Sequence, residues 1–274
     1  MHKKLLIKKI IKTISTLIGE CVVIVAVALI AINIIFAYTQ SPPFYSGEYK
    51  IWAHRGYWKQ NLPNSIESYT KAFSLGARGI ELDIHYNTDS KEYIVSHDYP
   101  YNPTNGRLLT LEAVLKRVGP MGCFWLDFKN LETLSKENAR IAISTLYALL
   151  SAYRLTDKVI LESKNPVNLA IASKAGLYTS YWIEPEAEDF FQFWLYIYLC
   201  KIFHIYGNFS AISMDYTYYS NKIEKIFAHV PIHLFTVNDM TLVNRLMDKP
   251  EVKIILSDES FYLMKGKNAS AKQP

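Results

Sequence analysis

The sequence predicts an α/β chain: a (β/α)8 TIM barrel preceded by one N-terminal transmembrane helix. Three observations predict it. An apolar run of eighteen residues, Cys21 to Tyr38, stands behind five lysines. From Ile51 onward, short β-branched runs alternate with amphipathic segments, and this alternation argues for a parallel sheet with crossover helices. Residues 46–274 number 229, close to the size of such a barrel with short loops. The composition is half hydrophobic and 20% charged, which excludes wholesale disorder. Three cysteines exclude a disulfide scaffold.

The N-terminal segment reads as an address. Lys3, Lys4, Lys8, Lys9 and Lys12 against Glu20 give residues 1–45 a charge of +4 out of the chain's +5. The remainder is close to neutral, so no nucleic-acid partner is expected. The run from Leu17 to Tyr38 is long enough to span a bilayer. The lysines on its N-terminal side place the N-terminus in the cytoplasm and the rest outside, as in a bacterial envelope. A cleaved signal peptide is the alternative, although the run exceeds the usual apolar length and lacks a clear cleavage site. The chain thus divides into a basic cytoplasmic N-terminus (1–16), a membrane anchor (17–38), a linker (39–47), a barrel (48–265) and a polar tail (266–274). Cys123 and Cys200 read as buried thiols, with a bridge between them as the alternative in an oxidising compartment.

The elements follow in order. Ile51–Ala53 is a strand ending in His54-Arg55-Gly56, and Ser65–Ser74 a helix with Ile66, Tyr69 and Phe73 on one face. Gly79–Tyr86 is a strand that Tyr93–Ser96 extends. Thr110–Val118 is a helix, Cys123–Phe128 a strand and Lys136–Leu155 a long amphipathic helix. Strand Lys158–Glu162 precedes helix Pro166–Lys174, and strand Leu177–Ile183 precedes an aromatic-rich helix, Glu188–Tyr206. Ala211–Tyr216, Ile232–Val237 and Val252–Ser257 are strands separated by helices Lys222–His229 and Thr241–Met247. A doubly wound open sheet is the alternative, but no Gly-rich phosphate loop follows the first strand.

In a barrel of this kind reactive groups gather at the carboxyl ends of the strands. His54 ends the first strand. Glu81 and Asp83 lie two apart on the second and leave on one face. His97 and Asp98 end the short strand after it, and Asp127 and Lys129 lie two apart on another. Three carboxylates suit a hard divalent cation, Mg²⁺ or Ca²⁺. Arg55 and Lys129 beside it suit a phosphate, and two imidazoles can divide the proton transfers. Together these parts suit metal-assisted hydrolysis of a phosphate ester. Singly, each is also compatible with a structural role. His85 shares the face of Glu81 and Asp83 and is either a supporting group or barrel packing. Asp98 is expected to orient His97 or a loop, and His204, His229 and His233 read as structural.

The residues that carry this chemistry stand in motifs. Ala53-His54-Arg55-Gly56, Asn64-Ser65-Ile66-Glu67-Ser68-Tyr69, Gly79-Ile80-Glu81-Leu82-Asp83-Ile84 and Ser96-His97-Asp98 resemble the glycerophosphodiester phosphodiesterase family. So do Leu108 to Leu115, Phe235-Thr236-Val237-Asn238-Asp239 and Ile255-Leu256-Ser257-Asp258. The resemblance spans about residues 50–260. It implies a barrel that hydrolyses glycerophosphodiesters to glycerol 3-phosphate and an alcohol. It implies His54 and His97 as the acid/base pair, Glu81, Asp83 and Asp127 as metal ligands, and Arg55 and Lys129 on the phosphate.

The chain departs from the pattern in three places. Pro63 stands where a Glu is usual, the stretch from His97 to Asp127 is short, and Phe235 replaces a common Trp. Asp127 is also one methylene shorter than the family's usual Glu. Two other functions stay open: a phospholipase-type enzyme on membrane lipid or a glycerophosphate-bearing envelope glycan, and an inactive glycerophosphate-binding barrel. The expected partners are a glycerophosphodiester or phospholipid-derived substrate and the membrane. The segment 190–206, with Trp194, Tyr196 and Tyr198, is either a packed barrel helix or an interfacial one.

Overall fold

The computed structural model describes residues 2–45, 47, 49–101, 108–186 and 189–263; the expected polar tail, 266–274, lies outside them. The first helix, α1, runs His2–Tyr38. Its stretch Lys12–Tyr38, 27 residues, is long and apolar enough to cross a membrane. Most of the large apolar side chains from Ile14 to Ile35 stand exposed along it, including Val22, Ile24 and Val27. Phe36, near the end, is buried instead, with its ring edge-on to His204 and Phe227.

The strands are β1 (Ile51–Ala53), β2 (Gly79–Asn87), β3 (Glu92–Val95), β4 (Cys123–Phe128), β5 (Val159–Ser163), β6 (Tyr178–Trp182), β7 (Ala211–Asp215), β8 (Ile232–Phe235) and β9 (Val252–Ser257). Among the described residues, eight of them pair in parallel in the order β1-β9-β8-β7-β6-β5-β4-β2, and β1 pairs with β2 to close the barrel. The short strand β3 folds back antiparallel on β2, with Ile84 opposite Val95, as the expected extension of that unit.

Helices α2 (Ile66–Ser74), α3 (Leu111–Val118), α4 (Lys136–Ala152), α5 (Pro166–Lys174), α6 (Phe190–Gly207), α7 (Asn221–Ile226) and α8 (Met240–Met247) connect the strands. Each begins after a side-chain cap: Ser65, Thr110, Ser135, Asn165, Asp189, Ser220 and Asp239 all accept from a backbone N–H of the first turn. The sequence-based starts at Ser65 and Thr110 therefore move inward by one, because those residues cap rather than enter the helix. Helix α4 ends at Ala152, three residues short of expectation, where Arg154 turns into the left-handed region with φ of 56°.

Two apolar regions hold the barrel. The larger lies between sheet and helices and includes Leu82, Ile84, Leu126, Leu161 and Leu234. The smaller fills the lumen with Trp52, Trp125, Ile160, Ala211, Ile254 and Leu256. The segment expected as a plain linker also packs here: the rings of Phe44 and Tyr45 meet Trp52, and Phe44 meets Tyr178. Tyr178 opens β6, so these rings close the end of the lumen where the strands begin.

Gly79 opens β2 on the face that carries Glu81 and Asp83. A Cβ there would collide with the six-membered ring of Trp52, which is fully buried. The absent side chain is what lets the indole fill the lumen below the two acids. Gly79→Ala is expected to destabilise the fold by about 1–3 kcal/mol through overpacking, read as a lower thermal midpoint in detergent; an unchanged midpoint would show that the lumen yields.

Candidate active site

Strand register assembles the acids. On β2, Glu81 and Asp83 face inward, and Asp83 stands directly opposite Asp127 of β4. Ligand oxygens of Glu81, Asp83 and Asp127 all lie within 4.8 Å of one another, and all three residues are buried. The structure therefore brings together the three carboxylates that the spacing singled out.

The turn after β1 clamps two of them. Arg55 sits in the left-handed region with φ of 53° and is followed by Gly56 at φ of 78°. In that pose the Arg55 N–H donates to Glu81 Oε2 at 3.0 Å, and its Nε lies 3.1 Å from Asp83 Oδ2. The turn leans on α2: the Ser68 hydroxyl donates to the Arg55 carbonyl, and Tyr57 N–H donates to the Ser68 carbonyl. A Cβ at Gly56 would strike the backbone of Ser68, so position 56 needs glycine for space as well as for its φ.

Lys129 closes the other side, with Nζ 2.9 Å from Asp83 Oδ1 and 2.5 Å from Asp127 Oδ2. Both cations assigned to the phosphate thus stand on the carboxylates in this structure. Asn64, also in the left-handed region, donates through Nδ2 to Asp83 Oδ2 at 2.7 Å, and its Oδ1 accepts from Asp83 N–H and the Tyr69 hydroxyl.

The charges are unevenly compensated. Burial, then Asp83 and Asp127, pushes the Glu81 carboxyl well above the usual carboxylate range. Burial also raises Asp127, against the pull of Lys129. Asp83 is equally buried, but Lys129 and Arg55 outweigh that and hold it below its ordinary value. Lys129 is held fully charged, since Asp127 and Asp83 together outweigh its own burial.

The histidines share one arrangement. His54 Nδ1 lies 2.7 Å from Asp258 Oδ1, which leaves Nε2 turned toward Glu81 at 3.8 Å. His97 Nδ1 lies 2.6 Å from Asp98 Oδ1, in the role expected for that acid. A carboxylate on Nδ1 makes that nitrogen the donor and leaves the Nε2 lone pair free in the neutral ring. His97 also lies close enough to Asp127 to pull its carboxyl down. His85, buried on β2, stands 3.4 Å from the His97 carbonyl through Nε2, so it supports the His97 loop rather than joining the acids.

The sequence reading missed four residues. Asp258 accepts from Trp58 Nε1 as well as His54 and from Asn238 Nδ2 on its second oxygen. These bonds overcome its burial and bring its pKa down to about 2. Asp258 and Asn64 both sit in motifs quoted above, but only the folded chain pairs them with His54 and Asp83. Trp58 carried no signal. Glu162 of β5 stands opposite Asp127 and is buried. Burial and the nearby Asp127 raise its carboxyl strongly.

Other expectations fall elsewhere. Cys123 and Cys200 are free thiols, and Cys200 is buried. His204 and His233 are buried, bond to Ser41 and Ser180, and pack against the rings of Phe36 and Phe209 and of Trp125, as structural residues do. Pro63 is exposed beside the mouth. The donor set suits a divalent cation: three buried carboxylates crowd into one cluster that Lys129 and Arg55 neutralise incompletely, and hard oxygen donors are what Mg²⁺ and Ca²⁺ prefer.

Comparison with known proteins agrees with this geometry. Residues 54–171 match the model of the Glycerophosphoryl diester phosphodiesterase family, whose members are phosphoric diester hydrolases, as the motifs implied. No curated protein matches the chain. A glycerophosphodiester phosphodiesterase from Parabacteroides distasonis is similar in structure, with a TM-score of 0.61 at 21% identity, covering 81% of this chain and 98% of its own. One from Thermotoga maritima gives 0.60 at 20% identity, covering 79% and 97%. An Oleispira antarctica phosphodiesterase, solved with the product sn-glycerol-3-phosphate, gives 0.61 at 16% identity, covering 85% and 98%.

The Asp258 contact yields a test. Asp258→Asn removes the anion that fixes the His54 tautomer and is expected to lower hydrolysis by roughly 10²- to 10⁴-fold with the fold retained. Because the carboxyl of Asp258 falls from its ordinary 3.8 to about 2 in the folded chain, its stabilisation is present above its ordinary value. It is lost as pH falls through about 2. The variant should therefore be less stable than the parent near neutral pH and converge with it on acidification; equal turnover and equal stability at pH 7 would contradict the assignment.

Proposed function

We propose that this chain, which carries the glycerophosphodiester phosphodiesterase family domain over residues 54–171, hydrolyses glycerophosphodiesters to a glycerol phosphate and an alcohol. The observation that carries the reading is the buried cluster of Glu81, Asp83 and Asp127 beside two imidazoles, each held at Nδ1 by a carboxylate. The product named for the Oleispira antarctica relative has the same chemistry.

Glu81, Asp83 and Asp127 would hold Mg²⁺ or Ca²⁺. When bound, the cation withdraws charge from a phosphate oxygen and makes the phosphorus a better electrophile. The chain's own residues do the rest. Arg55 and Lys129 bring positive charge to the same place, where the phosphodiester anion binds. One of His54 and His97 takes a proton at Nε2 from the attacking oxygen, and the other gives a proton to the departing alkoxide. The new P–O bond forms as the bond to the alcohol breaks. Asp258 and Asp98 keep both Nε2 atoms available.

The inactive-barrel reading loses support from the same cluster. Pro63 takes a carboxylate away from an exposed position, whereas the three acids and both cations remain in contact and His54 Nε2 stands 3.8 Å from Glu81. Helix α1 supports an anchored protein. The five lysines before it favour a cytoplasmic N-terminus and a barrel on the outer face of a bacterial cell membrane.

The full chain should release glycerol 3-phosphate from soluble glycerophosphodiesters, and a chelator should abolish the release until Mg²⁺ or Ca²⁺ is returned. His54→Ala and His97→Ala should each lose at least about 10²-fold in turnover without unfolding. Full activity in chelator, or in both histidine variants, would contradict the proposal.

A further inference from the structure

Helix α6 is more than a barrel helix. Its buried residues, Ile197, Cys200, Lys201, His204 and Gly207, all lie in the last eleven positions. The first seven contain none, and Phe190 and Phe191 are 77% and 74% exposed. Leu195, Leu199 and Ile202 continue the exposed apolar strip.

Contacts with α1 fix the direction of that strip. Asn33 donates to the Tyr198 hydroxyl and accepts from Lys201 Nζ; Phe36 meets Lys201 and His204; Ser41, just past α1, meets His204. Position rises in both segments together, so α6 lies parallel to α1. At 1.5 Å per residue, Phe190 stands about 12 Å before Tyr198, toward the N-terminal, apolar part of α1.

The length of α1 places that end in a membrane. From Lys12 to Asn33 the helix covers about 30 Å, the thickness of a hydrocarbon core. The polar group of Asn33, Tyr198 and Lys201 then marks the outer boundary, and the first two turns of α6 reach into the outer leaflet. Moving the inner boundary to Glu20 sinks α6 deeper.

The barrel's orientation follows. Helix α6 comes after β6, so its N-terminal end lies at the carboxyl ends of the strands, where His54, Glu81, Asp83 and Asp127 gather. The opposite end is the one closed by Phe44 and Tyr45. Lys222, which stands over the Phe193 ring at 3.7 Å, adds a cation at the rim of the apolar strip, where anionic headgroups would meet it.

We propose that the N-terminal half of α6 inserts into the outer leaflet beside the anchor, turns the catalytic mouth toward the bilayer, and presents it to a lipid-borne glycerophosphodiester. This rests on the phosphodiesterase reading and names its substrate class: glycerophosphate esterified to a lipid alcohol. Water adds to phosphorus, the P–O bond to the lipid breaks, and the lipid alkoxide takes a proton. Glycerol phosphate leaves, and the lipid alcohol stays in the membrane.

The test uses the full chain reconstituted into phosphatidylcholine vesicles containing phosphatidylglycerol, compared with the deacylated headgroup, glycerophosphoglycerol, in solution. Wild type should form diacylglycerol in the vesicles and cleave the soluble diester as well. Phe190→Ser combined with Phe191→Ser should lower diacylglycerol formation by about tenfold or more, since two apolar anchors are removed. Cleavage of the soluble diester should stay unchanged. Leu195→Ser is a second variant and should act in the same direction. Soluble cleavage without lipid cleavage in the wild type overturns this proposal and leaves the phosphodiesterase reading standing. So does lipid cleavage that these variants leave intact or reduce only in step with soluble cleavage. Hydrolysis of neither substrate sinks both.

Discussion

The structure turns on placing three acids where water cannot screen them. Glu81, Asp83 and Asp127 hold their ligand oxygens within 4.8 Å in a buried pocket. Two carboxylates that close repel by roughly 4 kcal/mol at an effective dielectric of about 20. Parallel strand register imposes the proximity, since Asp83 and Asp127 are direct neighbours across β2 and β4. The barrel answers with Lys129 between two of the acids, the Arg55 turn across the other side, and Asn64 on the remaining Asp83 oxygen. The proposed divalent ion would answer what the protein cations leave over, chiefly at Glu81.

The supporting layers serve this cluster from several parts of the chain. Gly79 yields space to Trp52, so the lumen beneath the acids is filled with packed apolar side chains. Ser68, one turn into α2, holds the Arg55 carbonyl and so keeps a strained turn in place. Asp258, at the end of the last strand, reaches the first strand's histidine because the sheet closes on itself.

Much of this was legible in the sequence, for reasons of period and position. Alternation along Gly79–Ile84 put Glu81 and Asp83 on one face, and strand ends located His54, His97 and Asp127. The rest depended on contacts between distant segments. Nothing local says that Asp258 meets His54, since 204 residues separate them. Glu162 read as the end of a strand, and only the register with Asp127 shows a fourth acid near the site. Arg55 and Lys129 were read by charge as phosphate ligands, whereas the folded chain sets them on the carboxylates first. The segment 39–47 reads as a short linker with Pro42-Pro43 in it, yet Phe44 and Tyr45 close the lumen. Helix α6 was ambiguous because its apolar residues run all round it, and only the pairing with α1 separates its covered end from its exposed one.

The most direct test of the central claim is to locate a cation. Crystals of the chain soaked in Mn²⁺ should show one anomalous peak within bonding distance of oxygens from Glu81, Asp83 and Asp127, with the Lys129 ammonium moved off the Asp83–Asp127 bridge. Manganese at some other place, or a cluster that keeps Lys129 in that bridge at saturating metal, would contradict the account.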